Sequence, residues 1–181
     1  KRGFVKAHPF DKKLDRMKNS NDEHIINSYF LKPEDIQKIR MELQMNDKYD
    51  IQDQILFEVA YDSANRLGAL EKLTISSLDL DSMVFKDIRE KRGYKVEVVF
   101  EENAKSLIEE WLHMRKDGFD ELKIDSLFIT HYRGEYKKME RGTIYRKIKD
   151  FGKIVGLEDF RPHCIRKSKL NNVYNETGDL T

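Results

Sequence analysis

The sequence predicts an α+β fold, mainly helical, with one small antiparallel β-sheet. Three observations predict it. Apolar residues recur at helical spacing in the first half and again in the last third. Two strand-like runs meet at a polar turn between them. The resulting order is helices, hairpin, helices, which segregates the sheet within a helical domain.

The elements follow in chain order. Residues 1–28 hold no sustained apolar period and turn polar at KNSNDEH, so they read as a basic arm or linker. LKPEDIQKIRMELQM places Pro33 at a helix start, with acids in the first turn and Ile36, Ile39 and Leu43 on one face. DIQDQILFEVAYDSA is a second helix with the stripe Ile51, Ile55, Leu56 and Val59, widened by Phe57 and Ala60. NRLGALEKLTISSLDLD reads as a short helix leading into extended chain. MVFKDI and YKVEVVF have strand composition, and EKRG between them is a hairpin turn. ENAKSLIEEWLHMRK is amphipathic, with Leu107, Ile108, Trp111, Leu112 and Met114 on its buried side. SLFIT is a short apolar run, strand or turn. RGTIYRKIKDFGKIVG is a basic helix with Ile144, Ile148, Phe151 and Ile154 inside. A last helix begins at Pro162, whose missing N–H suits a first-turn position, and stops near Gly178.

Composition bounds the function. A chain of 181 residues supports one domain, or one domain and an arm. No run of eighteen or more apolar residues exists, which argues against a membrane span, and the N-terminus lacks a secretory apolar stretch. Cys164 is the single cysteine, which excludes an intrachain disulfide and argues against a cysteine-based zinc site, and a reducing cytoplasm is the simplest setting. The net charge of +1 conceals a pattern. Residues 1–18 carry seven Lys or Arg against two Asp, and residues 141–170 carry nine basic against three acidic side chains. Residues 97–125 carry nine acids against four bases. Charge sorted in this way serves either as ordinary solvated helix faces or as a local field for a polyanion.

Three places can carry chemistry. In RPHCIRKS, His163 and Arg166 stand three apart and share a face of the last helix, in its positive first turn. Backbone donors, a guanidinium fork and an imidazole would converge there on a phosphate-sized anion. The plainer reading is a packed histidine and a surface arginine. Arg66 opens RLGALEKL, where Leu67, Leu70 and Leu73 are core candidates. Its plainer reading is a structural salt bridge to Glu71 or Asp62. The turn EKRGYK crowds Lys91, Arg92 and Lys95 beside Gly93, and would otherwise be a turn kept soluble by its charges.

Together these places resemble the catalytic domain of the tyrosine recombinases, the phage and transposon integrases, over roughly residues 29–181. SANRLGAL is similar to the family's Gly-x-Arg-x-x-Glu-Leu and matches Arg66 to its first arginine. KRGYK resembles the hairpin Lys-x-Gly-x-Lys and matches Lys91 to its lysine. HCIRKS resembles His-x-x-Arg and matches His163 and Arg166. HPF near the start resembles the Asn-Pro-Phe of the family's domain junction. The acid that usually follows the first arginine by three residues is Ala69 here, so Arg66 must be steadied by something else. The family's last cation and its nucleophilic tyrosine lie on helices beyond His-x-x-Arg. Tyr174 falls too early to match the nucleophile, and Tyr29, Tyr49, Tyr61, Tyr94, Tyr132, Tyr136 and Tyr145 precede the motif.

The resemblance implies a catalytic domain over residues 29–181 that lacks its C-terminal helices, preceded by an arm from an absent N-terminal DNA-binding domain. It implies a site-specific DNA recombinase that works through a 3′-phosphotyrosyl intermediate, with Arg66 and Arg166 on the phosphate oxygens, His163 in proton transfer and Lys91 protonating the leaving 5′ oxygen. Neither metal nor cofactor is required, because arginines neutralise the phosphate. Double-stranded DNA is the implied partner, contacted further by Arg92, Lys95, Arg141, Arg146, Lys149 and Lys167. The parent would be tetrameric on DNA, and this chain monomeric and unable to cleave. Three rivals remain: a non-catalytic DNA-binding module derived from an integrase, an enzyme acting on a small phosphate ester, and a helical interaction domain with these residues far apart.

Overall fold

The structure, a computed structural model, describes residues 30–90, 93–119 and 123–177. Its elements run α1 (Pro33–Met45), α2 (Ile51–Ser63), α3 (Leu67–Leu70), β1 (Leu78–Asp79), β2 (Val84–Arg89), β3 (Lys95–Val99), α4 (Glu102–Phe119), β4 (Ile129–Tyr132), β5 (Glu135–Lys138), α5 (Arg141–Ile154) and α6 (Pro162–Thr177). The helices, the first hairpin and the Pro162 start match the sequence reading. The basic arm, Lys91, Arg92 and Gly178 lie outside the described residues. Among the described residues, no helix is long and apolar enough to cross a membrane.

Helix α2 is the axis of the domain. Asp50 caps it by accepting a hydrogen bond from Asp53 N–H at 3.0 Å, and the Asp53 carboxylate accepts from Asp50 N–H at 3.1 Å. It stops where Ala64 turns left-handed, at φ 48°. Ile55, Leu56, Phe57, Val59 and Ala60 are fully buried, but so nearly are Gln52, Asp53, Glu58 and Asp62. A helix surrounded by α1, α4, α5 and α6 has no solvent face for its polar residues, so each finds a partner. Glu58 takes a two-pronged grip from Arg40, with Nε and Nη2 each 2.7 Å from a carboxylate oxygen. Asp53 meets Lys147 Nζ at 2.6 Å. Asp62 accepts from Glu101 N–H at 3.0 Å, and Gln52 accepts from Ile129 N–H at 2.8 Å.

The first sheet has the order β1-β2-β3, antiparallel throughout, with a register shift between Phe85 and Ile88. Phe85, Ile88 and Val98 face the core. A second hairpin, β4–β5, resolves SLFIT as a strand entry. Its two-residue loop is Arg133–Gly134, at φ 53° and 86°, the mirror-image turn that follows strand twist. Arg133 occupies there a position usually given to Asn or Asp.

Helix α4 buries Ala104, Ile108, Trp111 and Arg115, which lie on one stripe at 3.6-residue spacing. The sequence reading puts Met114 on that face, but Met114 is 46% exposed. Arg115 takes the place because its guanidinium donates to the carbonyls of Ser126 and Ile124, which no thioether could satisfy. Helix α5 packs Ile144, Ile148 and Phe151 inward, with Phe151 edge-on to Phe57 at 5.7 Å. Gly152 lies against the Phe160 ring so closely that an added Cβ would overlap it. That contact sets the path from α5 into α6. Helix α6 docks through Ile165 and two polar residues. Leu31 N–H donates to Ser168 Oγ at 2.8 Å, and Asn172 Nδ2 donates to Tyr61 OH at 3.1 Å.

Candidate active site

The ends of three elements converge on one open concavity of about 660 Å³. Its lining includes Asn65, Arg66 and Leu67 from the turn after α2, Arg141, Gly142 and Tyr145 from the first turns of α5, and Arg161, Pro162, His163 and Arg166 from the start of α6. Residues from opposite ends of the domain thus share one volume. The first turns of α5 and α6 carry no acid, whereas those of α1 and α2 hold Glu34, Asp35 and Asp53. Two helix N-termini and four guanidinium groups therefore leave this hollow strongly positive.

Local chemistry explains each placement. The left-handed Ala64 ends α2 and reverses the chain. Ser63 Oγ accepts from Asn65 N–H at 3.2 Å, and Asn65 Nδ2 donates to Glu97 O at 3.1 Å, which ties the turn to β3. Arg66 then caps α3, its carbonyl accepting from Ala69 N–H at 2.8 Å. Its side chain stands 70% exposed, with Nη1 3.0 Å from Glu90 Oε2. The partner is neither Glu71 nor Asp62. Asp62 is turned inward to the Glu101 amide, and the partner comes from the end of the hairpin strand. Arg66 is not sealed by this pair.

His163 is exposed and Arg166 half-buried, three residues apart within the first two turns of α6. Among the described residues, no ion pair involves Arg141, Arg161 or Arg166. The structure thus brings Arg66, His163, Arg166 and Arg141 together. Among the described residues, it does not place Lys95, Arg146, Lys149 or Lys167 there. Lys95 pairs with Asp87 at 2.6 Å, outside the concavity, and Arg146 folds back on its own helix, donating to Gly142 O at 3.3 Å and Thr143 Oγ1 at 3.1 Å. Lys149 is half-buried and Lys167 exposed, and neither lines the hollow. Arg161, Tyr145 and Glu90 are not among the residues that the sequence singles out. The first two carry a signal all the same: Arg161 flanks the Pro-His start, and Tyr145 lies one turn after Arg141, off the Ile144–Ile148 face.

Residues 29–181 match the model of the phage integrase family. The chain belongs to that family. A curated relative, the tyrosine recombinase XerA of Saccharolobus solfataricus, is 25% identical over 131 residues, covering 72% of this chain and 40% of the relative. A crystal structure of XerA recombinase superposes with a TM-score of 0.68 at 24% identity, over 83% of this chain and 52% of that one. The Tn1549 transposon integrase in complex with transposon right end DNA gives a TM-score of 0.65 at 17% identity, over 96% of this chain and 61% of that one. The chain therefore has the tyrosine-recombinase catalytic fold, helical with small antiparallel sheets, and spans about half the length of the XerA proteins it matches.

Proposed function

We propose that this integrase-family chain binds a DNA phosphodiester in the concavity and that the recombinase to which the fold belongs cleaves and rejoins DNA there. The observation that carries the reading is the convergence of Arg66, Arg166 and His163, from opposite ends of the domain, on one open basic hollow. Arg66 and Arg166 take the two non-bridging oxygens. Attack by a tyrosine oxygen on phosphorus gathers charge on those oxygens, so the arginines hold the transition state more tightly than the ground state. His163 handles the proton of the attacking hydroxyl. The departing 5′ oxygen must take a proton, and Lys91 is assigned that step on its sequence position alone. The bond energy is kept in the 3′-phosphotyrosyl link, so rejoining needs no nucleotide cofactor.

Arg141 and Arg161 widen the phosphate-binding surface, which Tyr145 also lines. Tetrameric assembly on DNA and a monomeric 181-residue chain rest on the family resemblance. The size of the hollow would also suit a nucleotide-scale ligand. Family membership favours the longer polyanion, and salt dependence separates the two, because duplex binding releases counterions.

A suicide duplex with a nicked cleavage strand tests the reading. The 181-residue chain should bind it, with affinity falling steeply as salt rises, and form no covalent adduct. A protein–DNA adduct, at Tyr145 or any other tyrosine of this chain, would contradict the assignment of the nucleophile. Failure to bind would sink the DNA reading itself.

A further inference from the structure

We propose that Glu90 is the positioning residue of Arg66, holding the guanidinium by one nitrogen so that its remaining edge faces the DNA phosphate. This rests on reading the concavity as a DNA phosphate site. The position three residues after Arg66 is Ala69, fully buried among core residues, so no acid can act from there. Glu90 reaches Arg66 from the other side of the turn.

The geometry assigns the roles within the pair. Glu90 is pinned through its backbone: its N–H donates to Tyr94 O at 2.7 Å, and its carbonyl accepts from Gly93 N–H at 3.2 Å. Its side chain is 12% exposed, against 70% for Arg66. The carboxylate is therefore the fixed member, and the arginine is the one that would otherwise swing. The grip is also one-pronged. In the buried pair Arg40–Glu58, Nε and Nη2 are both consumed by the two carboxylate oxygens. Arg66 uses Nη1 alone, which leaves Nε and Nη2 to meet an anion. Two further clips bind the same stretch of chain to the hairpin: Asn65 Nδ2 to Glu97 O on β3, and Lys72 Nζ to Arg89 O beside Glu90. The chain around Arg66 is thus tied to the hairpin at three points.

The arrangement has a cost that can be measured. A carboxylate within reach of the phosphate repels it, by enough at about 5 Å in water to weaken binding roughly two- to fivefold. Glu90 would therefore order the site while restraining its affinity. That repulsion acts whatever the role of the carboxylate, so tighter binding reports its charge and only the mobility of Arg66 reports positioning.

The test is Glu90→Gln in the 181-residue chain, read in two ways. Binding to a short labelled duplex across a salt series should tighten two- to fivefold at low salt, with a log–log slope steeper by up to about 0.9. In the free protein, the Arg66 guanidinium N–H signals should show several-fold faster rotation about Cζ–Nε, while the Trp111 indole signal stays in place and reports the fold. Glu97→Gln removes a charge from the same hairpin without touching Arg66, and should leave the Arg66 signals as in the wild type. Unchanged Arg66 signals in Glu90→Gln, or weaker DNA binding by a folded Glu90→Gln, would overturn the proposal. Wild-type binding that Arg66→Ala does not weaken would instead overturn the DNA reading beneath it, whatever the Arg66 signals show.

Discussion

The charges around α2 and the charges around the concavity obey opposite rules. Around α2, Glu58, Asp53 and Asp62 are walled off from water and each meets a fitted donor. At the concavity, four arginines and a histidine face one hollow, and among the described residues the carboxylate paired with them is Glu90 alone. Charges satisfied within the fold are not free to meet a ligand, and they carry a cost in desolvation. Cations left without partners in a concave site are available to a ligand. The contrast teaches where function lies in a chain whose overall net charge is only +1.

The largest break in the comparison should come at the junction that holds the two regions together. Gly152→Ala forces a methyl into the Phe160 ring between α5 and α6. It should cost about 3 kcal/mol, the upper range of overpacking, in urea-induced unfolding. Glu58→Gln strands Arg40 beside a neutral amide. The expected loss is about 2 kcal/mol, below the usual figure for a broken buried pair, because Arg40 keeps partial access to water. Calorimetric Tm values should rank the two.

Asp62 sharpens the comparison in the opposite direction. Burial raises its carboxyl from 3.8 to about 6, and the neighbouring Glu101 and Glu58 push the same way against the Glu101 amide and Lys169. The folded state then binds this proton more tightly than the unfolded chain does. Its contribution to stability therefore falls as pH rises from about 4 to about 6, and the penalty is complete above 6. Asp62→Asn keeps an acceptor for the Glu101 amide without the charge. Its stability should equal that of the wild type below pH 4 and exceed it by about 1–2 kcal/mol above pH 6, a figure reduced for residual solvation. A difference that stays flat across this range would refute the assignment.

Much of this was legible before folding. Apolar spacing located α1, α2, α4 and α5, and Pro162 located the start of α6, because each rests on local periodicity. His163 and Arg166 could be paired by helical geometry alone. The rest depended on contacts distant in the chain. The partner of Arg66 lies on another element, 24 residues away, and no local acid pointed to it. Helix α6 buries Ser168 and Asn172, polar side chains that leave no apolar stripe to read. The β4–β5 turn hides behind an arginine at positive φ, and Arg115 outcompetes Met114 because its carbonyl partners become visible only once the 123–128 segment folds back.

The smallest expected effect on stability falls on the most informative residue. Arg166→Ala removes a half-buried cation that, among the described residues, has no ion-pair partner, so unfolding should shift by no more than about 0.5 kcal/mol. Its DNA binding should respond far more. The direct test is duplex affinity as a function of salt for the wild type and Arg166→Ala. The concavity predicts weaker binding for the variant and a log–log slope shallower by about 0.9, because one phosphate fewer is neutralised. Superimposable salt curves would show that DNA does not enter this hollow.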